Sequence, residues 1–455
     1  MKNKIRSNTK NVGADPDKFI KRAIWAYFLL LIFEGALRKW ILPGLSTPLL
    51  LVRDPIALWV VYKVYDSNRL PDSPYLYGIF WISFIGFFTA LIFGHGSPLV
   101  AIFGARIMLI HFPFMFAMGV ILKRNDVIQM GKALLWISLP MVVLIALQFY
   151  TPQTSLVNRG IGGEGGSGFS GAMGFFRPSA TFSFTNGTAL FFGLVSGFVI
   201  YFWLNPNAVN KLLLIASSMA LIMAIPLSIS RTYMFTIGVT VLFAAFGASR
   251  NPKYAGKMVL ASVVLVFAVM LLSQVSFIAT AIEVLTGRFE NAAQSEGGLE
   301  GTLGERYLGS FTGPFVKATE IPFFGYGLGL GTSVGSQLLT GSVSYLISEG
   351  EWGRIIGELG LVLGTGVIFI RLGFAFKLFI AGYKRLVNGD LLPWMLLAFG
   401  LLIIPQGQWA QPTSLGFCTV IGGLIFASLN KDTPPMISTK SNKAVRSSLV
   451  NPAIV

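Results

Sequence analysis

The chain has 455 residues, 54% of them hydrophobic and 12% charged, with a net charge of +16, one cysteine, 39 Phe and 51 Gly. Soluble proteins carry roughly 25% charged residues, so this composition excludes a soluble globular enzyme, a disulfide-stapled secreted domain and a disordered chain. It predicts an all-α polytopic membrane protein.

The segment 1–21 is polar and basic and lacks a cleavable-leader pattern, so the first apolar stretch is expected to act as an uncleaved anchor. A helix crosses the hydrocarbon with about 20 apolar residues. Stretches of that kind fall at 22–42, 48–65, 75–93, 98–122, 131–150, 182–204, 211–229, 232–248, 257–280, 352–376, 391–405 and 412–429, which predicts twelve spans. The first nine lie within 22–280, interrupted by a glycine-rich loop at 151–181. A large loop at 281–350 follows, then spans ten to twelve within 351–430. The tail 431–455 is rich in Ser, Pro and Lys and is expected to be disordered.

Basic residues collect on cytoplasmic loops. With the N-terminus inside, cytoplasmic segments hold 23 of the 35 Lys and Arg, and every aspartate except Asp54 falls on or beside those segments. Both termini are then cytoplasmic, and the two long loops face outward. The +16 charge reads as an orientation signal and an attraction to anionic membrane lipids. No basic stripe on a soluble domain suggests nucleic acid.

Ionisable side chains inside a bilayer cost at least about 2.5–3.5 kcal/mol each and need partners. Glu34 and Arg38, four apart in FEGALRKW, share a helix face. Arg53 and Asp54 in LVRDP point apart, so each needs a tertiary partner, and these four read as a structural ion-pair network near the outer surface. Arg106 lies deeper with His111, which reads as a neutral, hydrogen-bonded core histidine. His95 is expected to be solvated in an outer turn, and Arg371 and Lys377 to reach the headgroups near a cytoplasmic end.

The outer segments are where arginine runs against the orientation rule. Arg177 precedes a span in FFRPSATFSFTNG, and Arg231 sits in the SISRT hairpin between two spans. Arg288, Arg306 and Lys317 belong to the large loop, and Arg354 opens the tenth span. Each can pair with an outer glutamate such as Glu164, Glu290 or Glu305. Taken together, Arg177, Arg231 and Arg306 read as an anion site, because a guanidinium keeps its charge and matches two phosphate oxygens.

SEGEWGRIIGELG brings Glu349, Glu351 and Glu358 to the same outer edge. Glu351 is either the helical partner of Arg354 or a base, and Glu349, just outside the helix, is freer to take a proton. Arg354 to Glu358 also has contact spacing. Hard cations want several oxygens; Glu349 with Glu351 is the better candidate pair for one, ahead of Asp15 and Asp17, but no metal and no cofactor are expected. GYGLGLG follows no strand and reads as a tight turn beneath Pro322 rather than a nucleotide loop.

From Arg177 to Leu361 the order of these features resembles the O-antigen ligase and O-antigen polymerase family of bacterial envelope glycosyltransferases. RPSATFSFTNG stands before a span, SISRT between two spans, then come ERYLGSFTGPFVKATEIPFFGYGLG in a large outer loop and EGEWGRIIGELGLVLG ending in Glu-x-Gly-Leu. FEGALRKWILPG and LVRDP look like a polymerase-like branch. The resemblance implies a GT-C-like protein of about twelve helices in the bacterial inner membrane, without metal or nucleotide sugar. It implies that Arg177 and Arg306 hold the donor diphosphate and that Arg231 is a further arginine of the pattern; Arg288, Arg354 and Glu358, on the same outer segments, are expected to support them. Ligases carry a histidine nine residues before the glutamate of Glu-x-Gly-Leu, where this chain has Glu349. The implied partners are an undecaprenyl-diphosphate-linked glycan, an acceptor glycan or lipid, and a chain-length regulator. A lipid-glycan flippase is the rival from another class.

Overall fold

The computed structural model describes residues 16–163, 165–250, 254, 256, 270, 273–296, 309–342 and 345–430. Glu164, Glu305, Arg306, residues 257–269 and 271–272 of the ninth apolar stretch, and both tails, 1–15 and 431–455, lie outside the described residues. The described chain is almost entirely helical, with one two-stranded ribbon.

The helices are α1 Lys18–Ala36, α2 Asp54–Asp66, α3 Pro74–Ile92, α4 Pro98–Arg106, α5 Phe112–Ile121, α6 Arg124–Tyr150, α7 Asn186–Leu204, α8 Lys211–Leu227, α9 Arg231–Ser249, α10 Ser276–Glu296, α11 Gly309–Val316, α12 Ser333–Thr340, α13 Glu351–Val387, α14 Leu392–Ile403 and α15 Pro412–Ser428. Proline opens α3, α4 and α15, where its missing N–H costs no helical hydrogen bond and its fixed φ suits the first turn. Among the described residues seven stretches are long and apolar enough to cross a membrane: 43–66, 74–92, 98–121, 124–150, 186–204, 231–249 and 351–387. The apolar helices Lys211–Leu227, Leu392–Ile403 and Pro412–Ser428 are shorter. The α14 helix lies where a span was expected at 391–405, and its 12 residues reach only about 18 Å at 1.5 Å per residue. It is buried almost throughout, packed against α7, α9, α13 and α15, so its apolar character reflects a place in the core. By contrast, α3 turns Phe80, Trp81, Phe84 and Phe88 outward as an exposed aromatic stripe, a face suited to lipid chains.

The expected tenth span, 352–376, is not continuous. Within α13, Gly360 has φ 76° and ψ 173°, and the chain reverses there. The reversal is required by the 2.7 Å bond between Arg371 and Glu351, since twenty residues of straight helix would separate them by about 30 Å. The arm 351–359 therefore folds back on the arm 361–387, with Gly364 against Ile355 and Ile356. The turn at 322–329 stoppers the reversal. Gly325 N donates to Pro322 O at 2.8 Å, and Tyr326 N and Gly327 N donate to the carbonyls of Gly357 and Glu358 that the break leaves open. GYGLGLG is thus a tight turn after Pro322, as its sequence suggests, and it caps a half-helix. A Cβ on Gly360 would strike Phe323 O. Gly360→Ala is expected to cost at least about 1–3 kcal/mol, the range for a residue forced into this region, read as a lower unfolding midpoint of the purified protein in detergent.

Ion pairs define the two ends of the bundle. Arg69 bonds Asp17 at 2.8 Å, Lys21 bonds Asp126 at 2.9 Å, and Arg124 bonds Asp390 at 2.7 Å. These tie together the start of α1, the end of α2, the start of α6 and the α13–α14 turn. Asn430, after α15, joins them by donating to Gly119 O and Leu122 O. The opposite end holds the starts of α2, α7, α13 and α15 and the end of α1.

Candidate functional site

Every buried charged side chain among the described residues belongs to the opposite end: Glu34, Arg38, Lys39, Arg53, Arg106, His111, Glu351, Arg354, Glu358 and Arg371. They form three linked clusters.

The first grows from FEGALRKW. After α1 the chain continues through a π-helical turn, Leu37–Ile41, whose extra residue rotates Arg38 and Lys39 inward. Glu34 receives Arg38 Nη1 at 3.2 Å and Arg53 Nε at 3.0 Å. Arg38 also donates to Ser183 Oγ at 2.9 Å and Ser46 O at 2.7 Å. Lys39 Nζ donates to Ser179 Oγ at 2.6 Å and Ala180 O at 3.3 Å. The motif thus grips the strap that follows Arg177. Gly35 permits this approach, because a Cβ there would overlap the backbone of Thr181–Ser183. Ala180 holds φ 50°, and its N–H donates to Gln148 Oε1 at 2.7 Å.

The second cluster surrounds Asp54. Its carboxylate takes Arg106 Nη1 at 2.5 Å and His111 Nε2 at 2.9 Å, while Tyr27 Oη lies 3.0 Å from His111 Nδ1. A second π-helical turn, Ile107–His111, separates α4 from α5 here and brings both Arg106 and His111 onto Asp54. The four N-terminal charges are paired as their spacing suggests: Glu34 with Arg38, and Arg53 and Asp54 each with a tertiary partner that their opposed directions demand. His111 is buried and hydrogen-bonded.

The third cluster is the EGEWGRIIGELG segment. Arg354 Nη2 bonds Glu351 at 2.8 Å and Arg354 Nη1 bonds Glu358 at 2.6 Å. Arg371 donates to Glu351 at 2.7 Å and lies 4.2 Å over the Trp409 ring. Glu351 also accepts Trp409 N at 3.1 Å, and Glu358 accepts Gly331 N at 2.8 Å. The space beside Arg354, Glu358 and Arg371 has no room for a water molecule. Arg371, expected to reach toward headgroups, is instead 1% exposed inside this cluster, because the break at Gly360 folds it back on Glu351. His95 sits half-buried in its short turn, with Nε2 3.0 Å from Leu328 O and Nδ1 accepting Ser97 N.

The segment 404–412 joins the clusters, a role its sequence does not advertise. Besides the Trp409–Glu351 bond, Arg53 Nη2 donates to Pro412 O at 2.7 Å, Asn186 at the start of α7 donates to Ser414 Oγ at 3.1 Å, and Gln408 Nε2 donates to Glu349 O at 2.8 Å. Gln411 donates to Tyr345 Oη at 2.8 Å. Burial raises the Tyr345 hydroxyl above its ordinary range and the Glu349 charge adds to that, against the Gln411 bond. Glu349 itself is exposed. The only signal for this hub is a polar run, QGQWAQP, between two apolar stretches.

Arg177 ends the ribbon in which β1 Phe169–Ser170 pairs antiparallel with β2 Phe176–Arg177, Phe169 opposite Arg177. Between the strands Gly171 N donates to Phe175 O. Arg288 on α10 donates to Gly171 O at 3.2 Å, and Gly171 faces the side chain of Ile229, two residues before Arg231 at the first position of α9. The segments carrying Arg177, Arg231 and Arg288 therefore meet at one glycine-rich turn. Arg354, Glu351 and Glu358 belong to the buried third cluster instead. Among the described residues no group of three or more His, Cys, Asp or Glu is arranged to hold a metal.

Comparison with family models, with curated proteins and with solved structures finds no match to this chain.

Proposed function

We propose that the chain is a GT-C-like membrane glycosyltransferase of about twelve spans in a bacterial inner membrane, with both termini cytoplasmic. It polymerises undecaprenyl-diphosphate-linked oligosaccharide repeat units into an O-antigen or exopolysaccharide on the extracytoplasmic face. The observation that carries this reading is the meeting of three arginine-bearing segments at the Gly171 turn, at the end of the bundle away from the Asp17, Asp126 and Asp390 pairs.

The donor's lipid lies along the exposed apolar faces, and its diphosphate docks on Arg177, Arg231 and Arg306 with Arg288 in support. An acceptor sugar hydroxyl attacks the anomeric carbon from the face opposite the leaving group. Its proton passes to a Glu349 carboxylate oxygen as the new C–O bond forms. The bond from the anomeric carbon to the diphosphate oxygen breaks with its electron pair, and the arginines stabilise the charge that develops there. Between the two candidate bases the geometry favours Glu349. Both Glu351 oxygens already accept from arginines, and the residue is buried, whereas Glu349 is exposed.

The test is complementation of a deletion strain. Glu349→Gln is expected to lower polymer formation about 100- to 10,000-fold, the span of general-base contributions, with unchanged protein in the membrane. Single lipid-linked units should accumulate. A normal glycan profile in that variant would remove Glu349 from the mechanism, and a deletion strain with unaltered glycans would remove the function.

A further inference from the structure

The three buried clusters are not alike in charge. Arg354 and Arg371 face Glu351 and Glu358, two cations against two carboxylates, and Arg106 faces Asp54 one to one. The first cluster has Arg38, Lys39 and Arg53 against Glu34 alone. Lys39 is fully buried, yet among the described residues its ammonium has no carboxylate partner: it donates to Ser179 Oγ and Ala180 O and lies 5.7 Å from the Trp40 ring centre. Arg38 Nη2 makes no hydrogen bond among them either, its Nε and Nη1 being taken up by Ser46, Glu34 and Ser183. A buried ammonium with no carboxylate beside it is costly in a bilayer-embedded protein, and an anion bound beside Lys39 removes that cost.

We propose that Arg38 and Lys39 form part of a phosphoryl-binding site continuous with Arg177. The strap Pro178–Ser183 connects the two: Lys39 holds it two residues beyond Arg177, and Arg38 holds it at the half-buried Ser183. The left-handed Ala180 turns its carbonyl onto Lys39 and its N–H onto Gln148, a strained geometry of the kind retained at binding sites. The chemistry recognised is a phosphate or diphosphate ester presented at the membrane surface, either the diphosphate of the donor or the headgroup of a bulk anionic lipid. This assignment rests on the proposed function for the first source only.

The experiment uses the full chain in phosphatidylcholine nanodiscs, with inorganic pyrophosphate as the probe and sodium chloride of equal ionic strength as the control. Pyrophosphate is expected to raise the unfolding midpoint of the wild type in a saturable manner, as a ligand that binds only the folded state must. Lys39→Met and Arg38→Gln should each reduce that rise at least tenfold in apparent affinity. Using both guards against one of them failing to fold. A wild type that does not respond, or variants that respond like the wild type, would overturn the site. In a second arm with phosphatidylglycerol nanodiscs, a midpoint already raised and deaf to pyrophosphate, in the wild type but not in Lys39→Met, assigns the site to bilayer headgroups. A persisting pyrophosphate response assigns it to the diphosphate. The two readings fail separately: a deletion strain with normal glycans leaves the pyrophosphate result standing, and an absent pyrophosphate response leaves the Glu349→Gln result standing.

Discussion

Arg177→Ala is expected to lower polymer formation by about 100- to 1,000-fold, the loss seen when one donor to a developing oxyanion is removed, while the protein remains folded in the membrane. The ribbon explains why folding should survive. Phe169 and Ser170 pair with Phe176 and Arg177 through the backbone, which alanine preserves. The strap beyond it stays held by Lys39, Arg38 and Gln148. Arg177→Lys should recover only part of the activity, since an ammonium keeps the charge and loses the planar fork. The measurement is polymer released per mole of purified protein. Equal rates for the lysine variant and the wild type would mean that only charge matters there.

A second large effect separates two glutamates two residues apart. Glu351→Ala is expected to destabilise the folded protein by about 3–5 kcal/mol, the cost of removing one partner from a buried ion pair. It removes the carboxylate that Arg371 pairs with, beside the Trp409 ring, and one of the two acceptors of Trp409 N. Arg354 keeps Glu358. Glu349→Ala, at an exposed position where the bond from Gln408 uses the backbone carbonyl, should change stability by no more than about 0.5 kcal/mol. Thermal unfolding of both variants in the same detergent reads the contrast. Were Glu351 the base instead, its alanine variant would fold normally and lose turnover.

The same contrast shows how far the sequence is readable. The pairing of Glu34 with Arg38, and of Arg354 with Glu351 and Glu358, follows from helical spacing because both partners share one surface. The need of Arg53 and Asp54 for distant partners was also legible, since adjacent residues face apart. Their identities were not: Asp54 reaches Arg106 and His111 across 52 and 57 residues, and Arg53 reaches Pro412 across 359. Arg371 was misplaced for a specific reason. Hydropathy reads 352–376 as one apolar run and is blind to the backbone at Gly360, where the direction of the chain inverts. The link between FEGALRKW and the strap after Arg177 spans 140 residues. No local pattern announces it.

The central claim is that a lipid diphosphate departs from the glycine-loop end of this bundle during glycosyl transfer. The most direct measurement reconstitutes the purified chain in liposomes with an undecaprenyl-diphosphate-linked repeat unit and follows free undecaprenyl diphosphate together with glycan length. The account predicts stoichiometric release of the lipid diphosphate as the glycan lengthens, lost in Arg177→Ala and Glu349→Gln. Movement of the intact lipid-linked unit across the bilayer, with no diphosphate released and no longer glycan formed, would contradict it.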